Sequence, residues 1–347
     1  MENERYDSWA LPVLSAWPKV LQVVNGGIPV PEVVEIFPTN FCNFQCPHCR
    51  FKHHHGGAGA FMDKTLFRRL LKDVKERGVE NVELSGGGEP LAHPDIHGLF
   101  DCIGRLGFRV GLITNGYQFV GSEALQEQAA RCCNWIRFSV DGFSEETYRR
   151  VHGRADIRYG DIKEAVTQIR RLANGTPKIG LKTLVSKLNA EDALLAIAQS
   201  QEIGADYLQL KFLGDPPELA LSEPEVERVL EQVRARADSM DSAALHVEVL
   251  PPYRGPKGAD KCLMTFLHPV VDWDGAVYVC AFFEHRKSRH SIGSVRASRF
   301  FEVWESEHHK AVFDGIDPGA CVANCPMRRY NSLVDFVVRE AYRRGFV

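Results

Sequence analysis

Through roughly the first two thirds of the chain, short runs of β-branched and apolar residues alternate with stretches whose apolar residues recur at helical spacing. This alternation constrains the fold more than any other feature, because strands separated by helices pair in parallel as βαβ units. Six strands are expected, at Val33–Pro38, Asn81–Ser85, Arg109–Ile113, Trp135–Val140, Ile179–Val185 and Tyr207–Phe212. Between the first two, Asp63 to Gly78 reads as a helix with Phe67, Leu70, Leu71 and Val74 on one face and Gly78 at its C-terminal cap. The pattern fits a partial barrel or an open doubly wound sheet, and in both architectures ligands gather at the C-terminal ends of the strands.

The first strand is followed by a long connection to about Met62, and it carries Cys42, Cys46 and Cys49 in NFCNFQCPHCRF. Long loops in compact folds usually carry function. Three thiolates spaced C-x3-C-x2-C can wrap a four-iron cluster and leave one iron open for chemistry, since such a cluster takes one ligand per iron. A zinc knuckle completed by His48 or the His53-His54-His55 tract, or three unrelated buried thiols, are the competing readings. The next three strands also end in small polar residues. Ser85-Gly86-Gly87-Gly88-Glu89-Pro90 follows the second, Thr114-Asn115-Gly116 the third and Ser139-Val140-Asp141-Gly142 the fourth. Adjacent glycines let backbone approach a ligand closely, and Glu89 supplies an anionic acceptor for an ammonium group.

Composition removes other classes of function. A net charge of -3 over 347 residues gives no electrostatic support for nucleic-acid binding. No apolar run approaches the roughly eighteen residues that a membrane span needs. The acidic start, MENERYDSW, lacks a signal-peptide core, so a cytoplasmic location is expected. There, ten cysteines point to metal or redox work rather than disulfides.

Taken together, residues 33–213 resemble the core of a radical S-adenosylmethionine (SAM) enzyme. The resemblance implies a partial (βα)6 TIM-like barrel within an α/β fold. It also implies a 4Fe-4S cluster on Cys42, Cys46 and Cys49, with the amino and carboxylate groups of SAM on the fourth iron. By the same resemblance Gly87, Gly88 and Glu89 bind the SAM amino group, and Ser139 and Asp141 contact its carboxylate or ribose. Asn115 lines the pocket, Arg154 neutralises the carboxylate, and His48 stands where an aromatic residue is usual. A low-potential cluster of this kind reduces the sulfonium and yields a 5′-deoxyadenosyl radical. A one-electron reductant such as flavodoxin or ferredoxin is the implied partner.

The last third holds a second cysteine set, Cys262, Cys280, Cys321 and Cys325. PVVDWDGAVYVC reads as a β-hairpin turning at Asp274-Gly275, which brings Cys262 and Cys280 toward each other. Four thiolates can close a second cluster or a zinc site. Residues 262–328 resemble the twitch domain, the short relative of the SPASM domain, which implies an auxiliary 4Fe-4S cluster; the C-x3-C spacing of CVANC departs from the usual C-x2-C. The expected layout is an N-terminal extension (1–32), barrel (33–213), helical linker (214–261), a small α+β twitch domain (262–328) and a C-terminal helix (329–347) with a solvated arginine face.

A closed second cluster suits electron transfer, so the oxidation of an alcohol to a ketone is expected, in a layout similar to the 2-deoxy-scyllo-inosamine dehydrogenases. The substrate would be a small carbohydrate-like metabolite of natural-product biosynthesis, such as an aminocyclitol, sugar or nucleoside. Lys211 or Lys182, at the ends of the sixth and fifth strands, would take the hydroxyl proton. Phe282, Phe283, Glu284, His285 and Arg286 are candidates to face the substrate. Redox-neutral epimerisation or decarboxylation of a uronate is the alternative. Epimerisation needs a thiol donor, and Cys102, Cys132 and Cys133 read instead as buried small apolar residues. Peptide modification is the third reading, and about thirty residues before the first strand are too few for a separate leader-binding domain.

Overall fold

The computed structural model describes residues 16–52, 59–154, 156–240, 245–252, 261–283, 287–321, 325 and 327–343. His53-His54-His55, Glu284, His285 and Arg286 lie outside the described residues. Among those described, ten strands follow along the chain: β1 (Val33–Ile36), β2 (Asn81–Leu84), β3 (Arg109–Thr114), β4 (Trp135–Ser139), β5 (Lys178–Val185), β6 (Tyr207–Phe212), β7 (His246–Leu250), β8 (Val270–Val271), β9 (Ala276–Tyr278) and β10 (Ser291–Ser294). The chain divides into two compact units, one of residues 37–61 and 83–252, the other of residues 1–36, 62–82 and 253–347.

In the unit of residues 37–61 and 83–252, β3, β4, β5, β6 and β7 follow one another in parallel register, with helices in the crossovers. This is the α/β architecture with a parallel sheet expected from the sequence. Alternation along β4 and β5 sets the two faces: Ile136, Phe138, Leu181 and Thr183 are fully buried, while Arg137, Ser139, Lys182 and Leu184 are half-buried. Glycines make room for rings on the neighbouring strand. A Cβ on Gly111 would meet the Trp135 ring at 2.0 Å, and one on Gly180 the Tyr207 ring at 2.0 Å. The segment expected as a helical linker holds the helix Glu223–Asp238, whose start is capped by Glu225 accepting from the Ser222 N–H at 2.7 Å, and also a strand. That strand, β7, pairs in parallel with β6 from Tyr207↔His246 to Lys211↔Leu250. Its HVEVL pattern is short, with His246 and Glu248 interrupting the apolar residues, which hid it in the sequence.

In the other unit, β8 pairs in parallel with β1, and β8, β9 and β10 are antiparallel neighbours. The β8–β9 hairpin turns where expected, with Gly275 at φ 83° and its N–H donating to the Asp272 carbonyl. The helix Lys64–Glu76 begins at Asp63, whose carboxylate accepts from the N–H groups of Thr65 and Leu66. It buries Leu66, Phe67, Leu70, Leu71 and Val74, each contributing about 1.5–3 kcal/mol relative to exposure. Arg299 bonds Asp73 and Glu76 on this helix, and the Trp304 indole N–H donates to the Pro29 carbonyl at 2.8 Å. No helix among the described residues is long and apolar enough to cross a membrane.

Candidate active site and cysteine centres

Cys42, Cys46 and Cys49 lie on a loop whose base is stitched shut. The Thr39 hydroxyl donates to the Ala60 carbonyl at 2.7 Å, and Asn40 Oδ1 accepts from the Ala60 N–H at 2.7 Å. Two further seams hold the loop. The Gln45 N–H donates to the His152 carbonyl at 3.1 Å, where the helix Glu145–His152 ends at Gly153 (φ 65°). A Cβ on Gly153 would lie 2.2 Å from the Gln45 carbonyl oxygen, so only glycine allows this docking. The Glu89 N–H donates to the Phe41 carbonyl at 2.7 Å, and a Cβ on Gly88 would lie 2.2 Å from that same oxygen.

The three thiols sit near enough to feel one another's charge. Burial first, then the Glu89 charge, pushes Cys42 up to about 12. Burial, with Asp141 next, holds Cys46 well above the usual thiol range, and burial raises Cys49. Such a trio ionises only when a cation replaces the protons, which is the behaviour of a metal site. The donor set therefore fits a cluster held through three thiolates.

Around the loop stand the residues expected to hold SAM. Glu89 is fully buried, and burial pushes its carboxyl up to about 7 against the hydrogen bonds it accepts. Its oxygens take the N–H of Leu91 at 3.0 Å, the Thr114 hydroxyl at 2.6 Å and the N–H of Asn115 at 2.7 Å, leaving lone-pair capacity for an ammonium. Asn115 Nδ2 donates to Asn43 Oδ1 at 2.8 Å and lies 4.0 Å from the Cys42 sulfur. Gly87 is buried and Ser139 half-buried, at the ends of β2 and β4.

Two of the residues expected to contact SAM also bond within the protein. Both Asp141 oxygens are engaged within the protein, one by His48 Nε2 at 2.9 Å and one by the Leu184 N–H at 2.6 Å. Burial works to raise the Asp141 carboxyl, but hydrogen bonding and charge from His48 outweigh it and hold the group below the usual carboxylate range. Arg154 is not a free cation. Its guanidinium pairs with both oxygens of Asp156 and donates to the Asn43 carbonyl at 2.7 Å, so it braces the cysteine loop.

Sequence reasoning missed His152. Its ring is buried against Phe44 and Tyr148, with centroids 5.0 and 4.3 Å away, and its Nδ1 lies 3.3 Å from the Cys46 sulfur. Burial pushes its imidazolium down to about 4. No motif at YRRVHG marks this; only the fold brings residues 46 and 152 together.

The half-buried faces of β4, β5 and β6 carry cations. The Lys182 ammonium makes no hydrogen bond or ion pair among the described residues. Burial first, then Lys211 and Arg137, pushes its ammonium down to about 7. Arg137 lies 5.6 Å over the Trp135 ring and reaches Gln209 Oε1 at 3.3 Å; Gln209 in turn donates to Glu248 at 2.5 Å.

The second centre uses segments far apart in sequence. Cys262 and Cys280 each feel the charges of Cys321 and Cys325, so the four thiols form one group. Burial pushes Cys262 up to about 12 and Cys280 well above the usual thiol range. The Phe282 N–H donates to the Cys280 sulfur at 3.3 Å. The helix Met327–Arg343 does more than present a solvated face. Buried Asn331 accepts from the Leu263 N–H at 2.7 Å and donates to the Lys261 carbonyl at 2.6 Å, gripping Cys262 from both sides. Arg328 donates to the carbonyls of Pro318 and Cys321 at 3.2 and 2.9 Å. Four thiols, Cys325 buried and the other three half-buried, suit a fully protein-ligated cluster.

Comparison with known proteins gives two family matches. Residues 36–192 match the Radical SAM superfamily, and residues 262–326 match SPASM, an iron-sulfur cluster-binding domain. The chain is 23% identical over 286 residues to the tungsten-containing aldehyde ferredoxin oxidoreductase cofactor-modifying protein of Pyrococcus furiosus, covering 78% of this chain and 80% of that one. It is 24% identical over 349 residues to the AdoMet-dependent heme synthase of Methanosarcina barkeri, covering 90% and 96%. Among solved structures, Streptococcus suis SuiB bound to the precursor peptide SuiA aligns with a TM-score of 0.69 at 14% identity, over 91% of this chain and 74% of that one. Native anSMEcpe with bound AdoMet aligns with a TM-score of 0.63 at 15% identity, over 90% and 98%. At these identities the structural likeness shows the fold.

Proposed function

The chain is a radical SAM enzyme with a C-terminal SPASM-type iron–sulfur domain, and we propose that it oxidises an alcohol of a small carbohydrate-like metabolite to a ketone. A radical SAM domain binds a 4Fe-4S cluster and SAM, which together supply a 5′-deoxyadenosyl radical, and an SPASM domain binds auxiliary iron–sulfur centres. In this reading Cys42, Cys46 and Cys49 hold the first cluster, and Gly87, Gly88, Glu89, Asn115 and Ser139 shape the SAM pocket. Asp141 and Arg154 hold that pocket's walls. Cys262, Cys280, Cys321 and Cys325 hold the second cluster.

Removing two hydrogens from an alcohol takes one hydrogen atom, one proton and one electron. SAM bound beside Glu89 would supply the radical that takes the hydrogen atom. Lys182 accepts the hydroxyl proton, and Lys211 helps keep its amine neutral by charge repulsion. Cys262, Cys280, Cys321 and Cys325 would hold the group that takes up the electron. The observation that carries the reading is the set of four mutually close thiols there: with every iron held by protein, such a centre has no open position for substrate and is suited to accept an electron.

A second reading is radical decarboxylation of a uronate. It is supported by the crowding of Arg137, Lys182 and Lys211, which would favour a carboxylate-bearing substrate. Anaerobic reconstitution with iron and sulfide, followed by a screen of polyols, aminocyclitols, sugars and nucleoside uronates for 5′-deoxyadenosine, tests both. A ketone product supports oxidation. Carbon dioxide release, or a product at the substrate's oxidation level, overturns it.

A further inference from the structure

The proton on the His152 ring can be placed from its neighbours. The Asp141 backbone N–H is a donor only, and it points at His152 Nε2 at 3.3 Å. Nε2 must therefore present its lone pair, so the ring proton of the neutral imidazole is on Nδ1. That nitrogen lies 3.3 Å from the Cys46 sulfur, within hydrogen-bond distance of a thiolate acceptor. The ring cannot turn away. It is 1% exposed, wedged between Phe44 and Tyr148, and its backbone carbonyl is bonded by Gln45 from the same cysteine loop. Asp141 is fixed in turn by His48, which lies between Cys46 and Cys49 in sequence.

We propose that His152 is a positioning residue for the first cluster: its Nδ1–H donates to the Cys46 thiolate and raises the reduction potential of the cluster that Cys46 helps to hold. The physical ground is the sign of the dipole. A donor aimed at the sulfur places positive charge beside a centre that becomes more negative on reduction, so the reduced state gains more from it. Asp141 contributes by fixing the tautomer through its amide, and His48 by holding Asp141 in place.

The inference rests on Cys46 being a cluster ligand, which iron counting on Cys46→Ala tests separately. The deciding experiment is a redox titration of the reconstituted full chain, following the EPR signal that changes when SAM is added and so reports the first cluster. His152→Phe keeps the ring packing and removes the donor, and its SAM-responsive signal should titrate at lower potential while the other cluster is unmoved. His152→Asn keeps an amide N–H near the Nδ1 position and should return the potential toward wild type. Unchanged potential in an iron-replete His152→Phe variant overturns the inference. Should that variant fail to load iron, pulsed EPR of the wild type decides: an exchangeable proton and a histidine nitrogen coupled to the first cluster support it, and their absence overturns it.

Discussion

At the first centre three thiols arrive on one short loop, which is braced at many points: by backbone bonds of Gln45 on His152 and Glu89 on Phe41, and by the side chains of Thr39 and Asn40 on Ala60 and of Arg154 on Asn43. At the second, four thiols come from three separate segments, and side chains of one late helix, Asn331 and Arg328, hold two of them, those of Cys262 and Cys321. The first arrangement is surrounded by polar groups such as Glu89 and Asn115. The second spends its surroundings on holding the ligands. An initiating centre and a closed one thus differ less in ligand chemistry than in what the neighbouring residues are occupied with.

Cys42→Ala should make the deepest break. SAM cleavage should fall below detection while iron drops from about eight to about four per chain, read by 5′-deoxyadenosine and iron assays. Cys321→Ala should give the mirror result, about four iron lost but SAM cleavage retained and ketone no longer formed. Equal loss of both activities in the two variants would dissolve the division of labour.

Lys182→Met should lower turnover by roughly 10²–10⁴-fold with SAM binding intact. The sign of the pH dependence follows from the amine. Only deprotonated Lys182 accepts a proton, and its pKa is pushed down to about 7, so wild-type turnover should rise as pH increases through 7. The residual turnover of Lys182→Met should lack that rise, and a variant with an unchanged profile would remove Lys182 from proton transfer. The smallest effect belongs to the brace. Asn331→Ala leaves the Leu263 N–H unpaired and should cost about 1–3 kcal/mol, visible as a lower melting temperature with full iron content. A loss of iron at the second centre alone would show that the helix sets ligand geometry as well as stability.

Strands β1 to β6, the helix Lys64–Glu76 and the β8–β9 hairpin were legible because each is written locally, in periodicity, in the Asp63 cap and in the Asp274-Gly275 turn. The cysteine sets and the glycine turn before Glu89 were legible for a similar reason, since ligand chemistry restricts residue type and spacing. What stayed hidden depends on distant residues meeting. His152 reaches Cys46 across a helix and a loop, Asp141 is claimed by His48, and Arg154 is claimed by Asp156. Strand β7 was obscured because its polar residues, such as Glu248, mimic a surface linker. Asn331 looked like one more polar residue on a C-terminal helix until its two backbone partners were in place.

The joint at Gly88 and Phe41 has a consequence for how the enzyme would fail. The turn carrying Glu89 and the loop carrying the cysteines meet at one carbonyl oxygen, that of Phe41, which accepts from the Glu89 N–H and would lie 2.2 Å from a Cβ on Gly88. Neither can shift by an ångström without carrying the other. Under the role proposed for Glu89, oxidative damage to the loop would therefore be felt as poorer capture of the methionine end of SAM. Inactivation would arrive as one event rather than two.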